Sequence, residues 1–275
     1  MPALTVVSWN LNRNPACWGV LAGDPTVDVA LVQEALPPPM ELGADVVPGS
    51  PDWRTGGAHR GFCTAVAALS DRVGTRFLAS RPLNDPGGSL QPVSLSGSLA
   101  LAEVSVPDQE PITVVSVYCA WEAVPRDGTG WSVSDAAAHR VLSDLSGLIE
   151  SQRGHRLLVA GDWNLYRGYG DRGSAYWSRR YETVFERAAA LGLVFCGPQH
   201  PNGQRADPWP EHLPTDSGNV PTFRRQLGDP ATAVDQLDFV FASESIADVV
   251  TATALNQDWG PSDHCRVRIE LDFDR

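Results

Sequence analysis

Short apolar segments separated by polar loops recur along the chain, and most of them have the length and alternation of β-strands. The first runs from Leu4 to Trp9, and others are rich in Val, Leu, Ala and Phe. We therefore predict a structure dominated by strands. The predicted strands cover residues 4–9, 29–33, 64–69, 99–106, 112–118, 157–160, 237–242 and 265–271.

Helical periodicity is clear in only two places. Residues 134–150 carry apolar side chains on one face, with Ser134 as a plausible N-cap, and residues 175–191 end at Gly192, a residue type common just after a helix. Segments rich in Pro and Gly at 37–57, 84–92 and 196–221 look like loops within one domain, since a strand-like segment follows each. The last is long, and long loops are usually functional or mobile, so we expect it to border a site.

Composition places the chain among ordinary globular proteins. It has 275 residues, of which 43% are hydrophobic and 20% are charged. No apolar run is long enough to span a bilayer, and residues 1–10 form a predicted strand without the features of a signal peptide. We therefore expect one soluble, cytoplasmic domain covering residues 1–275, with no membrane partner and with a monomer as the default.

Charge and residue usage exclude several kinds of chemistry. The formal net charge is −12, so a polyanionic substrate must be held by a local group of arginines or by metal ions. Lysine is absent, which excludes P-loop nucleotide binding, lysine-dependent kinases and pyridoxal-phosphate Schiff bases. The five cysteines are widely spread, so neither a disulfide framework nor a zinc knuckle is indicated, and buried free thiols are expected.

Polar and acidic side chains cluster where the predicted strands end. Taken singly, each is most simply a turn former. Together they supply many oxygen ligands and one titratable base, which suits a Mg²⁺ or Mn²⁺ site. These residues are Asn10, Asn12, Gln33, Glu34, Asp162, Asn164, Asp235, Asp238, Ser262, Asp263 and His264.

An ordered set of short motifs spans nearly the whole chain. They are SWNLN at 8–12, QE at 33–34, SVY at 116–118, GDWN at 161–164, PTF at 221–223, LDFVF at 237–241 and SDHC at 262–265. In this order and spacing the set resembles the endonuclease/exonuclease/phosphatase superfamily, which includes enzymes similar to deoxyribonuclease I and exonuclease III. The resemblance implies an α/β fold: a four-layer α/β/β/α sandwich with two packed, mostly antiparallel mixed sheets. It also implies metal-dependent cleavage of a phosphoester by in-line attack of water.

The resemblance implies a metal group with Mg²⁺ or Mn²⁺ as the cofactor. Glu34 would be the principal ligand, Asn10 would help to order metal and phosphate, and Asp263 would complete the environment. At Asn12, abasic-site endonucleases carry Asp instead, which weakens the case for a second metal there.

The resemblance also implies catalytic roles. His264 matches the catalytic histidine, and Asp238 matches the aspartate that orients it. Asp162 is the rival candidate for activating water, with Asn164 holding the nucleophile or a phosphate oxygen, and Tyr118 matches a tyrosine that contacts phosphate. Which of His264 and Asp162 takes the proton stays open at this point.

Arginines near these motifs are candidates for binding substrate. Arg224 and Arg225 directly follow PTF, and we assign them to substrate together with Asn12 and Arg167. Residues 165–181 interleave aromatic side chains with arginines. Such a segment can stack bases and bind phosphates, but a helix over 175–191 must also bury some of these rings.

The reaction type is predicted more sharply than the substrate. Our first hypothesis is a phosphodiester hydrolase acting on nucleic acid or a nucleotide. The alternative is a phosphomonoesterase acting on a small phosphorylated metabolite or inositol phosphate. A protein that only binds a partner is a remote alternative, because Glu34, Asp162, Asn164, Asp238 and His264 are all present.

Overall fold

The computed structural model describes residues 3–42, 44–56, 60–85, 90–123, 132–149, 155–254 and 258–274. Twelve of its strands form two six-stranded sheets. The strands are β1 Leu4–Asn10, β2 Val29–Ala35, β3 Asp45–Pro48, β4 Cys63–Ala68, β5 Gly74–Leu78, β6 Ser80–Pro82, β7 Gln91–Val93, β8 Leu99–Ser105, β9 Ile112–Tyr118, β10 Glu122–Ala123, β11 Ser132–Val133, β12 Leu157–Asp162, β13 Leu193–Gly197, β14 Asp238–Ser243, β15 Val250–Ala254 and β16 Val267–Leu271.

Each of the two large sheets is mixed but mostly antiparallel. The first has the order β15-β16-β1-β2-β4-β3, and its one parallel pair is β1 with β2. The second has the order β13-β14-β12-β9-β8-β5, and its one parallel pair is β12 with β9. The remaining strands form two small pairs, β6 with β7 and β10 with β11.

The alternation of side chains along the strands produces the layers of the fold. Leu4 and Val6 of β1 point between the two sheets, where they join Val114 of β9 and Ala160 of β12 in one buried core. Their neighbour Val7 points to the opposite face of the first sheet. Because successive strand residues face opposite sides, each sheet has one face toward the other sheet and one face toward the helices.

Helices cover the two outer faces. Helix α1 is Ala16–Ala22 and packs with Trp18 and Leu21 on the outer face of the first sheet. Helices α2, Asp135–Leu145, and α3, Ala175–Ala190, pack on the outer face of the second. The predicted four-layer α/β/β/α sandwich with mostly antiparallel mixed sheets is confirmed.

The predicted elements are present with small shifts of their ends. Strand β9 has the predicted bounds, whereas β14 begins at Asp238 and β16 at Val267. Helix α2 ends at Leu145, and a short 3-10 turn, Ser146–Leu148, follows it. The predicted end of this helix, at residue 150, lies outside the described residues. Helix α1 and the eight strands β3, β5, β6, β7, β10, β11, β13 and β15 were not predicted, since their apolar patterns are short.

Ser134 takes the predicted N-cap position of α2 but does not cap the helix. Its hydroxyl donates a hydrogen bond to the backbone carbonyl of Asn164 and makes none to the first turn of α2. The predicted cap is therefore a link between this helix and the segment that follows β12.

The parallel strand pairs bring the polar strand ends to one edge of the sandwich. Asn10 of β1 lies beside Gln33 of β2, and Asp162 of β12 lies between Tyr118 of β9 and Asp238 of β14. Behind this edge, the buried Gln33 amide donates hydrogen bonds to the hydroxyl groups of Ser8, at 3.4 Å, and Ser116, at 2.9 Å. This polar link joins the two sheets directly under the polar edge.

Two further predictions can be compared with the structure. All five cysteines are free thiols, four of them buried and Cys196 partly exposed. No helix among the described residues is long and apolar enough to cross a membrane.

Candidate active site

The GDWN segment places a buried carboxylate at the end of β12. A Cβ atom on Gly161 would lie 2.0 Å from the carbonyl oxygen of Val117, so only glycine allows β12 and β9 to approach this closely. Asp162 follows and is almost fully buried. The glycine therefore sets the position from which Asp162 enters the site.

Two asparagines hold the Asp162 carboxylate. The amide of Asn10 donates to Oδ2 of Asp162 at 2.9 Å, and the amide of Asn164 donates to the same oxygen at 3.1 Å. The backbone N–H of Asn164 donates to Oδ1 at 3.0 Å. Three donors on one carboxylate fix its orientation. The sequence-predicted residues Asn10, Asp162 and Asn164 thus form one connected unit.

The segment before β16 is attached to the same unit through Ser262. Its hydroxyl donates to the carbonyl oxygen of Asn10 at 2.6 Å and accepts from the backbone N–H of His264 at 3.0 Å. The indole N–H of Trp9 donates to the carbonyl oxygen of His264 at 2.8 Å. Contacts between residues far apart in sequence therefore place the histidine beside β1.

His264 and Asp238 form a buried hydrogen-bonded pair. Nδ1 of His264 donates to Oδ2 of Asp238 at 2.8 Å, while Nε2 faces Asp162, 4.0 Å from its Oδ2. The hydroxyl of Thr222 accepts from the backbone N–H of Asp238 at 3.2 Å, and the ring of Phe223 packs on the imidazole with centroids 5.0 Å apart. The aspartate thus orients the ring and leaves Nε2 for chemistry.

Burial and neighbouring charges shift the protonation of this group. Burial alone lowers the pKa of His264, but the carboxylates of Asp238 and Asp162 outweigh it and raise the pKa above its ordinary value. Burial raises the pKa of Asp162, against the opposing effect of His264. The pair therefore retains protons more strongly than the same side chains do in water.

Glu34 enters the site through a bulge in β2. The pairing of β2 with β4 shifts between Val32 and Ala35, and Glu34 has a φ of +44°, in the left-handed region. Nε of Arg13 lies 3.4 Å from Oε2 of Glu34. A β-bulge re-aims a side chain, and here it turns the glutamate toward the cleft.

Tyr118 lies buried beneath Glu34. Its ring packs edge-on against Phe62, with centroids 5.5 Å apart, and the side chain lies near the charge of Glu34. Burial, together with the Glu34 charge, raises the pKa of Tyr118 above its ordinary range. The tyrosine does not line the cleft, so its predicted contact with phosphate is not available in this structure and its neighbour there is Glu34.

Asp263 supplies a carboxylate oxygen that has no partner. Its Oδ1 is buried without a hydrogen-bond partner, and the side chain lines the same cleft as Glu34 and Asp162. An unpaired buried carboxylate oxygen is what a bound cation neutralises. Oxygen donors from Glu34, Asp162 and Asp263 therefore fit a hard divalent cation.

Another group of side chains among the described residues is close enough together to hold a metal ion. One ligand atom each from Asp162, Asp238 and His264 lie within 4.8 Å of one another. The latter two already hydrogen-bond each other, whereas Oδ1 of Asp263 has no partner. Glu34 and Asp263 line the same cleft, and their assignment as metal ligands stays a prediction.

Eight of the twelve predicted site residues line one cleft with a volume of about 750 Å³. Asp238 and Tyr118 are buried behind its surface. The predicted residues that line it are Asn10, Asn12, Glu34, Asp162, Asn164, Arg225, Asp263 and His264.

Two predicted substrate-binding arginines lie elsewhere. The guanidinium of Arg224 donates to the carbonyl oxygens of Ser262, at 2.7 Å, and Gly228, at 3.1 Å, so it anchors the segment that carries Asp263 and does not line the cleft. Arg167 stacks on the ring of Phe195 at 3.9 Å and lines a separate depression of about 370 Å³. The structure therefore does not bring either guanidinium to the cleft.

The long loop and the aromatic segment also differ from their predicted places. Residues 198–199, 214 and 216–219 of the loop border the separate depression rather than the main cleft. In segment 165–181 most rings pack in the core, Tyr166, Tyr169 and Tyr181 being buried. The burial interpretation therefore holds for these three rings.

Several residues of the site were not among the predicted site residues. Thr222 belongs to the quoted PTF motif but had no predicted role, and Ser262 was named in the polar cluster without a role of its own. Arg172 lies in the aromatic and arginine segment 165–181, whereas Arg13 and Gln226 line the cleft without any sequence signal.

Comparison with known proteins identifies the family of the chain. The model of the endonuclease/exonuclease/phosphatase family matches residues 7–264, and the chain belongs to that family. Family membership makes it a hydrolytic phosphoesterase. No curated protein matches the chain by sequence.

Solved structures share the fold at low sequence identity. The endonuclease domain of TRAS1, a telomere-specific non-LTR retrotransposon, is 18% identical, with 99% of this chain and 100% of that one covered and a TM-score of 0.61. The AP endonuclease LMAP from Leishmania major is 16% identical, with 98% and 88% covered and a TM-score of 0.61. The 3′-5′ exonuclease NExo from Neisseria meningitidis is 16% identical, with 98% and 100% covered and a TM-score of 0.59.

Proposed function

We propose that the protein is a divalent-metal-dependent phosphodiester hydrolase that acts on nucleic acid or on a nucleotide, with Mg²⁺ or Mn²⁺ as its cofactor. The observation that carries this proposal is the hydrogen-bonded His264–Asp238 pair facing Asp162 in the cleft that also contains Glu34 and the unpaired oxygen of Asp263. That arrangement combines a cation site with an oriented acid–base group.

Glu34 and Asp263 would hold the cation, with Asn10 beside them. A divalent cation bound there would neutralise charge on the phosphate oxygens and help the leaving oxygen to depart. Asp238 keeps the imidazole of His264 in one orientation, and the amides of Asn10 and Asn164 hold the Asp162 carboxylate. These contacts leave the residues pre-organised before substrate binds.

The geometry supports two assignments of the proton transfer. In one, Asp162 takes the proton of the attacking water and protonated His264 donates a hydrogen bond to the phosphate. In the other, Nε2 of His264 takes the proton. Both use the same two side chains, which lie 4.0 Å apart, and both predict loss of turnover when either is removed.

Phosphomonoester cleavage is the second candidate. One solved relative, NExo, is described both as a 3′-5′ exonuclease and as a 3′ phosphatase. A cleft of about 750 Å³ also accommodates a terminal phosphate of a small molecule.

Hydrolysis of a matched substrate panel tests the proposal. The panel contains single-stranded, duplex and abasic DNA, RNA, bis(4-nitrophenyl) phosphate and 4-nitrophenyl phosphate, each with Mg²⁺, Mn²⁺ or EDTA. We expect turnover of the polymers or the diester, lost in EDTA and in His264→Ala and retained in His200→Ala, which changes an exposed histidine outside the cleft.

Two outcomes would redirect the proposal. Turnover of the monoester alone would favour the phosphatase. Turnover that persists in EDTA would show that the reaction does not use a metal and would contradict the mechanism.

A further inference from the structure

One wall of the cleft is built from two turns that carry arginines. The first is the 3-10 turn Asp171–Gly173, which contains Arg172, and the second is the 3-10 turn Arg225–Leu227. Both arginines line the cleft. We call Tyr166, Asp171, Arg172 and Arg225 the arginine wall.

Buried tyrosines tie these two turns together. Tyr166 lines the cleft together with Arg172 and Arg225, and its ring contacts that of Tyr181 with centroids 5.8 Å apart. The hydroxyl of Tyr181 donates to Oδ2 of Asp171 at 3.4 Å. The arginine wall is therefore a connected surface on a rigid base.

The three arginines that line the cleft differ in their partners. Arg13 pairs with Glu34, and Arg225 pairs through Nε with Asp235 at 3.1 Å. Arg172 makes no hydrogen bond or ion pair with any residue that the structure describes. In a chain with a net charge of −12, an exposed arginine without a carboxylate partner in the main cleft is available to an anion.

The backbone of both turns is unusual at the cleft. Arg172 has a φ of +51° and Gln226 a φ of +55°. Both values lie in the left-handed region, which residues other than glycine rarely adopt. Both residues line the cleft. Left-handed residues cluster at sites where the backbone must present a side chain in one direction.

The carboxylate group and the arginine wall provide different chemistry in one cleft. Glu34, Asp162 and Asp263 supply oxygen ligands for a cation, whereas Arg172 and Arg225 supply planar N–H donors suited to phosphate oxygens. Neither of these two arginines pairs with any of the three carboxylates in the described structure. Arg172 is thus free to hold an anionic group apart from the one that reacts, and Arg225 lies in the same wall with its Nε held by Asp235.

We propose that the arginine wall binds a second phosphate of the substrate, next to the phosphate that is cleaved. This rests on the proposed function and narrows it to substrates in which the scissile phosphate has a phosphate neighbour, as in a nucleic acid strand. Arg172 and Arg225 determine this specificity, and neither takes part in the proton transfer.

Matched oligonucleotides test this specificity. The trinucleotide d(TpTpT) has two phosphates and d(TpT) has one, so the ratio of their kcat/KM values, taken per scissile bond, measures the effect of the second phosphate. We expect the wild-type protein to favour d(TpTpT). We expect Arg172→Gln to lower the ratio about tenfold, the effect on affinity of losing one charge-assisted hydrogen bond. The salt dependence of kcat/KM for d(TpTpT) should also weaken, by a slope of about 0.7.

Two further variants separate binding from folding. Arg76→Gln removes an exposed arginine of β5 that pairs with Glu103 outside the cleft, and it should leave the ratio unchanged. Arg172→Asn should lower the ratio as Arg172→Gln does without lowering Tm, since asparagine tolerates the left-handed region. An unchanged ratio in both Arg172 variants would overturn the inference.

The same experiment separates this inference from the proposed function. If the original chain hydrolyses neither oligonucleotide nor bis(4-nitrophenyl) phosphate with Mg²⁺, the proposed function fails and the inference fails with it. If it hydrolyses d(TpT) and d(TpTpT) equally well, only the inference fails. Diadenosine triphosphate is a further arm: an Arg172-dependent preference for it over both oligonucleotides would show that the second phosphate is that of a nucleoside polyphosphate.

Discussion

At the scale of single residues, Asn10 connects more of the site than any one contact suggests. Its amide donates to Asp162, its side-chain oxygen accepts from the backbone N–H of Asn12 at 2.9 Å, and its carbonyl oxygen accepts from Ser262. One residue thus joins three segments of the site through its side chain and its backbone carbonyl. Because these hydrogen bonds are directional, we expect small changes in them to move the acid–base group.

The Asp238 contact with His264 leads to the first prediction. Asp238→Asn keeps the shape of the side chain but removes the charge that orients and stabilises the imidazolium, so kcat should fall by about 10³-fold or more. Steady-state kinetics on the best substrate of the panel measures the change, and thermal unfolding measures the fold.

Asp144→Asn is the matched control, since Asp144 is also buried but hydrogen-bonds to Ser94, away from the cleft. It should retain kcat within about threefold, the scatter expected of a change outside the site. If Asp238→Asn also kept its kcat within about threefold of the wild-type value, the Asp238–His264 pair would have only a structural role.

At the scale of elements, two irregularities in regular strands form the site. Gly161 allows β12 to lie close to β9, and the bulge at Glu34 turns one residue of β2 toward the cleft. Neither feature is favourable for a strand by itself, because glycine weakens strands and a bulge interrupts pairing. The neighbouring strands, buried on both faces, hold both irregularities in place.

The close approach at Gly161 leads to the second prediction. Gly161→Ala places a methyl group 2.0 Å from the carbonyl oxygen of Val117, so β12 and β9 must separate. We expect the free energy of unfolding to fall by about 3 kcal/mol, the upper range for inserting a methyl group into a packed core. Urea denaturation measures the change.

Gly19→Ala provides the matched control within helix α1, because a Cβ atom there meets nothing within 4 Å. It should raise the free energy of unfolding by about 0.5–1 kcal/mol, since alanine favours helix. Equal effects of the two substitutions would show that the approach of β12 to β9 does not require glycine.

At the scale of the whole molecule, the candidate cation site joins parts that are distant in sequence. Glu34 belongs to the first sheet, Asp162 to the second, and Asp263 to the segment before β16. A cation held by residues of both sheets binds the folded state better than the unfolded chain. Binding and stability are therefore coupled.

This coupling leads to the third prediction, which does not depend on turnover. Mg²⁺ should raise Tm, with a gain of about 2.7 kcal/mol in stability at a concentration 100 times the dissociation constant. Glu34→Gln and Asp263→Asn should each reduce the shift, whereas Asp144→Asn should keep it. A shift of the same size in all four proteins would place the ion elsewhere.

Several sequence-based expectations remain predictions on the whole-molecule scale. They are the organisation of residues 1–275 as one domain, the monomeric state, the compartment, and the choice of Mg²⁺ over Mn²⁺. Size-exclusion chromatography with light scattering measures the monomeric state, and comparison of the two metals in the hydrolysis panel measures the cation preference.

The sandwich fold, its main strands, the family and most of the motif residues that line the cleft could be predicted from the sequence alone. Strand alternation and the order of short motifs carry this information, because both depend on residues that are neighbours along the chain. His264 and Asp238 are an example. His264 directly precedes the predicted strand 265–271, and Asp238 lies at the start of the predicted strand 237–242. The family resemblance implies that the aspartate orients the histidine, and the two side chains hydrogen-bond each other.

Only the tertiary structure decided which arginines reach the cleft. Arg224 and Arg225 are adjacent in sequence, yet one anchors the segment before β16 and the other lines the cleft, and Arg167 stacks on Phe195 instead. The physical reason is that a flexible guanidinium goes to the oxygen or ring that the packed fold brings within its reach. Such partners are set by contacts between distant segments, as is the direction given to Arg172 by its left-handed turn.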